Sequence, residues 1–200
     1  MGVAGRDPAG VVSEAPEVLI AGERVALGPV RTELVGTYAR WLNTPGVRFG
    51  LGEIGILSEL SEAEWVEKQL RDGSQQEPSA ASFTIYDRTD MAPVGLVSLF
   101  KVSHRHRRAA LGIHLGERRG QGLGTEAVRL TLDWGFHVLG LNNVLLEALT
   151  TNTQAIRAYE RAGFRAVGVR RQGAVSRGEL VDELYMDAVR ADFGPSVLEG

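Results

Sequence analysis

A glycine-rich stretch at residues 119–125, Arg-Gly-Gln-Gly-Leu-Gly-Thr, limits what this 200-residue chain can fold into more than any other feature. It lies between a predicted strand at 109–115 and a predicted helix at 125–138. Glycines also suit short turns and helix starts, so the stretch alone does not prove a binding site. They do leave backbone N–H groups accessible, and the following helix presents the positive end of its dipole. The pattern therefore favours a mixed α/β chain with a phosphate site at this turn.

The residues around this turn argue against two common nucleotide sites. No Gly-Lys-Ser/Thr follows, so the lysine and the magnesium-binding hydroxyl of a P-loop are missing. The spacing of Gly120, Gly122 and Gly124 does not match the dinucleotide pattern Gly-x-Gly-x-x-Gly. Nucleoside triphosphates and NAD are therefore disfavoured as ligands.

Composition narrows the function classes further. The chain has no cysteine, which excludes disulfides, zinc–thiolate sites, iron–sulfur clusters and cysteine nucleophiles. Its net charge of −3 provides no general attraction to nucleic acid or anionic lipid. No apolar run approaches the ~20 residues of a membrane-spanning helix. We therefore expect a cytoplasmic protein with no nucleic-acid or membrane partner.

The histidine-containing run at 103–108, Ser-His-Arg-His-Arg-Arg, does not predict a metal site. His104 and His106 share a strand face, but no third ligand accompanies them. We interpret the run as a solvated connection between strands, with a local basic patch as the alternative, and we expect no bound metal.

The hydrophobic pattern predicts one domain at 17–200 after a flexible N-terminal tail at 1–16, which is polar and glycine-rich. Residues 46–55 and the Arg- and Gly-rich segment after residue 169 lack a period and are expected to be loops. The predicted strands are 24–27, 82–86, 94–102, 109–115, 144–149, 164–169 and 180–189. The predicted helices are 32–42, 61–71, 125–138 and 153–162, and the second of them begins with a capping box at Ser61 and ends at about Arg71.

A second informative stretch, Asn-Thr-Gln-Ala-Ile-Arg-Ala-Tyr-Glu-Arg-Ala-Gly-Phe, occupies residues 152–164. Together with the glycine-rich turn it resembles the GCN5-related N-acetyltransferases (GNAT). Their cofactor loop reads Arg/Gln-x-x-Gly-x-Gly/Ala, and a later segment reads Asn-x-x-Ala-x-x-x-Tyr-x-x-x-Gly-Phe. The resemblance covers about residues 24–192. Residues 41–45 and 178–186 resemble the branch that includes the ribosomal-protein N-terminal acetyltransferases.

This resemblance implies a fold of the α+β type and an enzymatic activity. The implied sheet is mostly antiparallel, has about six to seven strands, is split at the cofactor site and is flanked by about four helices. The implied reaction moves an acetyl group from acetyl-CoA to a primary amine by direct attack in a ternary complex. The acceptor stays open between a small-molecule amine and a protein N-terminus, and a homodimer stays open as well. The alternative is a non-catalytic acyl-CoA-binding or regulatory protein of the same fold.

The resemblance also implies the roles of individual residues. The backbone of residues 119–125 would bind the pyrophosphate of acetyl-CoA, and the strand end at 114–115 would pair with the pantetheine arm. Asn152 would bond the pantetheine amide, and Tyr159 would protonate the leaving thiolate. The implied cofactor-binding residues are His114, Leu115, Arg119, Gly120, Gln121, Gly122, Leu123, Gly124, Thr125, Asn152 and Tyr159.

The implied catalytic base is where this chain departs from the family. Many relatives carry Glu at the position of Ala110, and alanine cannot accept a proton. His114 has the same strand parity and is one alternative. Glu53, in the glycine-rich loop, is a second. A third is that no dedicated base exists and the acceptor loses its proton to water.

Overall fold

The computed structural model of the protein describes residues 15–51 and 55–198. In this part of the chain, eight strands form one sheet, accompanied by five α-helices and two short 3-10 turns at Thr32–Leu34 and Arg190–Asp192. The strands are β1 (Ile20–Ala21), β2 (Val25–Pro29), β3 (Ala81–Asp87), β4 (Ala92–Ser103), β5 (Arg108–Leu115), β6 (Asn143–Leu149), β7 (Arg165–Ser176) and β8 (Glu179–Val189). The helices are α1 (Val35–Leu42), α2 (Pro45–Gly50), α3 (Glu59–Gly73), α4 (Leu123–His137) and α5 (Thr153–Ala162).

The sheet has the order β1-β2-β3-β4-β5-β6-β8-β7. Neighbouring strands are antiparallel except for β5 and β6, which run parallel. That parallel pair is hydrogen-bonded over only three positions, from Arg108 opposite Asn143 to Ala110 opposite Leu145. Beyond them the two strands separate. The predicted fold class is confirmed, including the split in the sheet.

Both faces of the sheet are covered. On one face, α4 packs its apolar side chains, such as Leu132 and Phe136, into a core with β2–β6. On the other face, Tyr38 and Trp41 of α1 pack against Leu96 of β4 and Val66 of α3. Tyr38 also shares a hydrogen bond of 2.6 Å with Thr84, so the buried hydroxyls are paired.

Several sequence predictions are wrong in detail. The expected loop at 46–55 begins as helix α2, because Pro45 occupies its first turn, where proline is tolerated. The helix predicted from Ser61 begins at Glu59, because Ser58 rather than Ser61 caps it: Oγ of Ser58 accepts from the Ser61 N–H at 3.1 Å.

Other corrections concern strands and numbers of elements. The expected Arg- and Gly-rich loop after residue 169 is strand, because β7 continues to Ser176 through a bulge and pairs with β8. The two-residue strand β1 was not predicted. The described residues form eight strands rather than the expected six to seven, and five α-helices rather than about four. Most of the predicted tail, residues 1–14, lies outside the described residues.

Candidate active site

The gap between β5 and β6 opens into a cleft of about 490 Å³. Leu111–Leu115 of β5 form one wall, and Glu147–Leu149 of β6 form the other. The glycine-rich stretch 119–125 closes one end, while α5 and α2 contribute further lining residues. The two sequence stretches that carried the family resemblance therefore meet at one cleft.

The glycine-rich stretch forms the start of α4. Gly120 and Gly122 have φ angles of +78° and +84°, which favour glycine. Gly122 is the N-cap residue and has no side chain to accept from the first-turn N–H groups. The N–H groups of Leu123 and Gly124 precede the first hydrogen bond of the helix, which Thr125 donates to the Gly122 carbonyl at 3.1 Å, so these two N–H groups can bind an oxyanion supplied from the cleft. This backbone fits a pyrophosphate group, whose oxygens accept hydrogen bonds.

Arg118 fixes the entry to this stretch, a role the sequence analysis missed. Its guanidinium donates to Asp87 at 2.6 Å and to Asp90 at 2.5 Å, both at the β3–β4 turn. Hydrogen bonds from Arg118 and then from Thr89 lower the pKa of Asp87 to about 2. The turn-like run at residues 87–90 was visible in the sequence, but its pairing with a distant arginine was not.

Arg119 is an exposed residue that lines the cleft. Its Nε donates to the carbonyl oxygen of Leu115 at 2.7 Å. Its Nη1 lies 2.6 Å from the point that a Cβ on Gly46 would occupy, so α2 approaches this guanidinium closely. The carbonyl expected to pair with the pantetheine arm is therefore engaged by Arg119 in this structure.

His114 lines the cleft with its Nε2 shielded from solvent and without a hydrogen-bond partner among the described residues. Burial, and secondly the positive charge of Arg119, lower the pKa of His114 to about 4. The imidazole is therefore neutral at neutral pH and is a weaker base than an exposed histidine.

Tyr159 and Asn152 lie on the α5 side of the cleft. Burial raises the pKa of Tyr159 to about 12, so the phenol keeps its proton at neutral pH. Its ring packs edge-on against Phe164, with centroids 6.1 Å apart. Asn152 caps α5, because its Oδ1 accepts from the Ala155 N–H at 3.2 Å. Its amide nitrogen lies toward α2, 3.5 Å from a Cβ built on Gly50.

Some residues that the sequence predicted for the site do not line the cleft. Leu123 is 2% exposed and packs in the core, and Gln121 faces a separate surface groove beside Arg118. Neither side chain lines the cleft. Ala110 is the last residue of β5 that pairs with β6. Glu53 lies outside the described residues.

Two carboxylates that the sequence analysis did not single out line the cleft. Glu147 projects from β6, and Glu183 projects from the neighbouring strand β8. A single Glu in an otherwise apolar strand is a weak signal, and only the pairing of β6 with β8 brings the two together. Nowhere in residues 15–51 and 55–198 do three His, Asp or Glu side chains form a group suited to a metal.

The sequence also predicted no membrane-spanning helix. None of the helices in the described ranges has the length and apolar character needed to cross a bilayer.

The chain is similar in sequence to known acetyltransferases. A family model described as an acetyltransferase (GNAT) domain matches residues 24–165. The spermidine N(1)-acetyltransferase of Escherichia coli K12 is 34% identical over 102 residues, which are 50% of this chain and 52% of that protein. The putative ribosomal N-acetyltransferase YdaF of Bacillus subtilis is 29% identical over 100 residues, 50% of this chain and 55% of that protein. The chain thus spans about half the length of these curated relatives.

Solved structures share the fold over a longer range. A spermidine N-acetyltransferase from Vibrio cholerae, in complex with CoA and spermine, matches with a TM-score of 0.77 at 20% identity, covering 85% of this chain and 98% of that one. Mycobacterium smegmatis RimJ, in complex with CoA-disulfide, matches with a TM-score of 0.75 at 20% identity, covering 86% and 85%. At this identity the likeness shows the fold alone.

Proposed function

This chain belongs to the GNAT acetyltransferase family, and on that premise we propose that it transfers the acetyl group of acetyl-CoA to a primary amine by direct attack in a ternary complex. The family resemblance carried by residues 119–125 and 152–164 is thereby confirmed.

The observation that carries the proposal is the cleft between the diverging strands β5 and β6. It ends at the N-terminus of α4, where glycines at 120 and 122 leave backbone N–H groups open. That end supports binding of the CoA pyrophosphate. The free backbone edge of β5 beyond Ala110 supports strand-like pairing with an extended amide chain such as pantetheine. When bound, acetyl-CoA supplies an activated thioester.

Tyr159 supports the chemical step. It lines the same cleft, and its phenol is protonated at neutral pH. In the proposed reaction the amine nitrogen attacks the thioester carbon, the carbon–sulfur bond breaks, and Tyr159 gives its proton to the sulfur. Asn152 holds the start of α5 and thereby positions the helix that carries Tyr159.

The acceptor end of the cleft is formed by α2 and by strand residues bearing carboxylates. Gly46 and Gly50 of α2 present no side chains to the cleft, and Glu147 and Glu183 add negative charge. Negative charge favours a cationic amine over an acidic acceptor. One similar protein is named for spermidine and another for the ribosome, so we keep both a small amine and a protein N-terminus as acceptors.

A panel of amines tests the proposal. The full chain is incubated with acetyl-CoA and with polyamines, amino acids, or peptides bearing a free N-terminus, and free thiol release and product mass are recorded. We expect an amide product, one acetyl group heavier, together with stoichiometric thiol. Cofactor binding without any amide product would instead favour the non-catalytic acyl-CoA-binding protein.

A further inference from the structure

Glu183 is held in an unusual position for a carboxylate. Its side chain is 15% exposed, and it lines the cleft that also contains Tyr159. Its Oε2 is shielded from solvent and receives no hydrogen bond from any described residue. Arg170 of β7 forms a long ion pair with it, with Nη1 3.7 Å from Oε2. A carboxylate that lines a cleft and has an oxygen without a donor is suited to receiving a hydrogen bond from a ligand.

The fold makes room for this carboxylate. Strand β7 bulges between Arg170 and Ala174, where Gln172 has a φ of +52° and donates its N–H to Asp182 at 2.8 Å. Inside the bulge, a Cβ on Gly173 would overlap Oε2 of Glu183. The glycine therefore leaves a notch that the Glu183 carboxylate occupies, with Cδ of Arg170 beside it.

Strand parity places Glu183 on the same face of the sheet as the vacant base position. In β5, Ala109 and Leu111 are in the core with α4, so Ala110 and His114 face the opposite side. In β8, Met186 and Ala188 are in that core, so Glu183 also faces the opposite side. The carboxylate and the vacancy thus share one face of the sheet; β5 borders the gap in which the cleft lies, and β8 lies next to β6, the strand on the other side of that gap.

We propose that Glu183 is the catalytic base that takes the proton of the acceptor ammonium, the role for which Ala110 has no suitable side chain. The inference rests on the proposed function. The ammonium gives one proton to the Glu183 carboxylate, and the neutral nitrogen attacks the thioester carbon. As the carbon–sulfur bond breaks, the tetrahedral intermediate loses a second proton, which restores the phenol of Tyr159, while the proton on Glu183 passes to solvent. Tyr159 protonates the thiolate, so one proton ends on the thiol and one is released to solvent.

The other groups near the cleft fit this role less well. His114 is neutral, has a lowered pKa and has no described residue to orient it. Glu147 is exposed on β6, so water competes for its oxygens. The titratable and charged side chains that line the same cleft as Glu183 are Glu147, His114, Arg119, Tyr159 and Arg161, and Nη1 of Arg170 lies 3.7 Å from its Oε2.

The first test replaces the carboxylate and varies pH. Glu183→Gln is compared with Glu179→Gln, an exposed glutamate on the same strand that does not line the cleft. At pH 7 we expect kcat/KM of Glu183→Gln to fall by roughly 10²–10⁴, the usual contribution of a positioned base. The loss should shrink as pH rises toward the pKa of each acceptor amine, because the amine then arrives neutral. Affinity for CoA should stay within about 3-fold of the unmodified protein.

The second test moves the carboxylate without removing it. Gly173→Ala introduces the Cβ that overlaps Oε2, while Gly168→Ala in the same strand meets nothing within 4 Å. We expect Gly173→Ala to lower kcat by about 10-fold with CoA affinity unchanged, and Gly168→Ala to leave both unchanged.

The results of these tests distinguish a failure of the proposed acetyltransferase activity from a failure of the base role of Glu183. An unmodified protein that forms no amide overturns both. An active protein whose Glu183→Gln variant keeps normal kcat/KM at pH 7, or whose loss is the same at every pH, overturns the base alone. An equal loss in Glu147→Gln that recovers in the same way at high pH would move the role to Glu147 and overturn it for Glu183.

Discussion

Arg118 donates from Nη1 to the Asp87 carboxylate at 2.6 Å, and this ion pair joins the glycine-rich stretch to the β3–β4 turn. The same guanidinium reaches Asp90, so two carboxylates hold one arginine. Arg118 itself has a φ of +49°, a backbone conformation that is uncommon outside glycine. The pairing therefore stabilises a strained entry into the proposed pyrophosphate site.

Arg118→Ala should weaken CoA binding, because the backbone of residues 119–125 loses its anchor. We expect the Kd for CoA to rise by about 10-fold, equivalent to about 1.4 kcal/mol, as measured by calorimetry. Arg71→Ala is the matched control, since that arginine pairs with Glu67 on an exposed helix face. Equal Kd values for Arg118→Ala and the unmodified protein would show that the stretch holds its shape without this ion pair.

Gly124→Val should block the cofactor end of the cleft while leaving the fold intact. A Cβ at Gly124 would lie 3.4 Å from the nearest side-chain atom, which is ordinary contact, so the new side chain is tolerated but projects along the cleft wall. We expect CoA affinity to fall at least about 10-fold with little change in thermal stability. Calorimetry with CoA and a thermal scan measure the two effects. Gly73→Val, at the end of α3 with open space around it, is the control. A folded Gly124→Val protein with normal affinity would reject this site for the pyrophosphate.

The bounds of α5 could be predicted because its two ends are marked by local chemistry. Asn152 caps the first turn, and Gly163 ends the helix with a φ of +110°. Such signals depend on neighbouring residues alone, so the sequence shows them directly. The glycine-rich turn at the start of α4 was predictable for the same reason, since residues 119–125 are contiguous.

The part of the cleft lined by α2 and Glu183 could not be predicted, because it depends on contacts between distant segments. The continuation of β7 through its exposed, arginine-rich part follows from pairing with β8, which no local pattern indicates. The burial of Glu183 depends on the notch at Gly173. Helix α2 was missed because six residues containing two glycines and a proline are typical of a loop.

Glu62 should make the stability of the protein depend on pH. Its side chain is 4% exposed on α3, and burial raises its pKa from 4.5 to about 7. Because the folded state holds this proton more tightly than the unfolded chain, the free energy of unfolding should fall as pH rises from about 4.5 to about 7. We expect a loss of about 1–3 kcal/mol between pH 5 and pH 8, measured as a shift of the urea midpoint.

Glu62→Gln should remove most of this pH dependence and leave the protein more stable than the unmodified form at pH 8. Glu64→Gln, exposed on the same helix, should change neither the stability nor its slope with pH. A pH dependence that persists unchanged in Glu62→Gln would assign the proton uptake to another group.

Tyr159→Phe should separate binding from turnover. The ring contact with Phe164 is retained, and the phenol makes no hydrogen bond within the described part of the chain, so stability and CoA affinity should stay close to those of the unmodified protein. Without the proton donor, kcat should fall by roughly 10²–10⁴. Steady-state kinetics and calorimetry with CoA measure the two effects.

Tyr38→Phe gives the opposite pattern and serves as the control for Tyr159→Phe. Its hydroxyl is buried and bonded to Thr84 at 2.6 Å, and neither residue lines the cleft, so its loss should lower the melting temperature and leave kcat nearly unchanged. Since the pKa of Tyr159 is about 12, the acid form should persist through pH 10, and turnover of the unmodified protein should not decline there from loss of this proton. Near-normal turnover in Tyr159→Phe would assign Tyr159 to packing α5 against Phe164, and the thiolate would then leave without a dedicated acid.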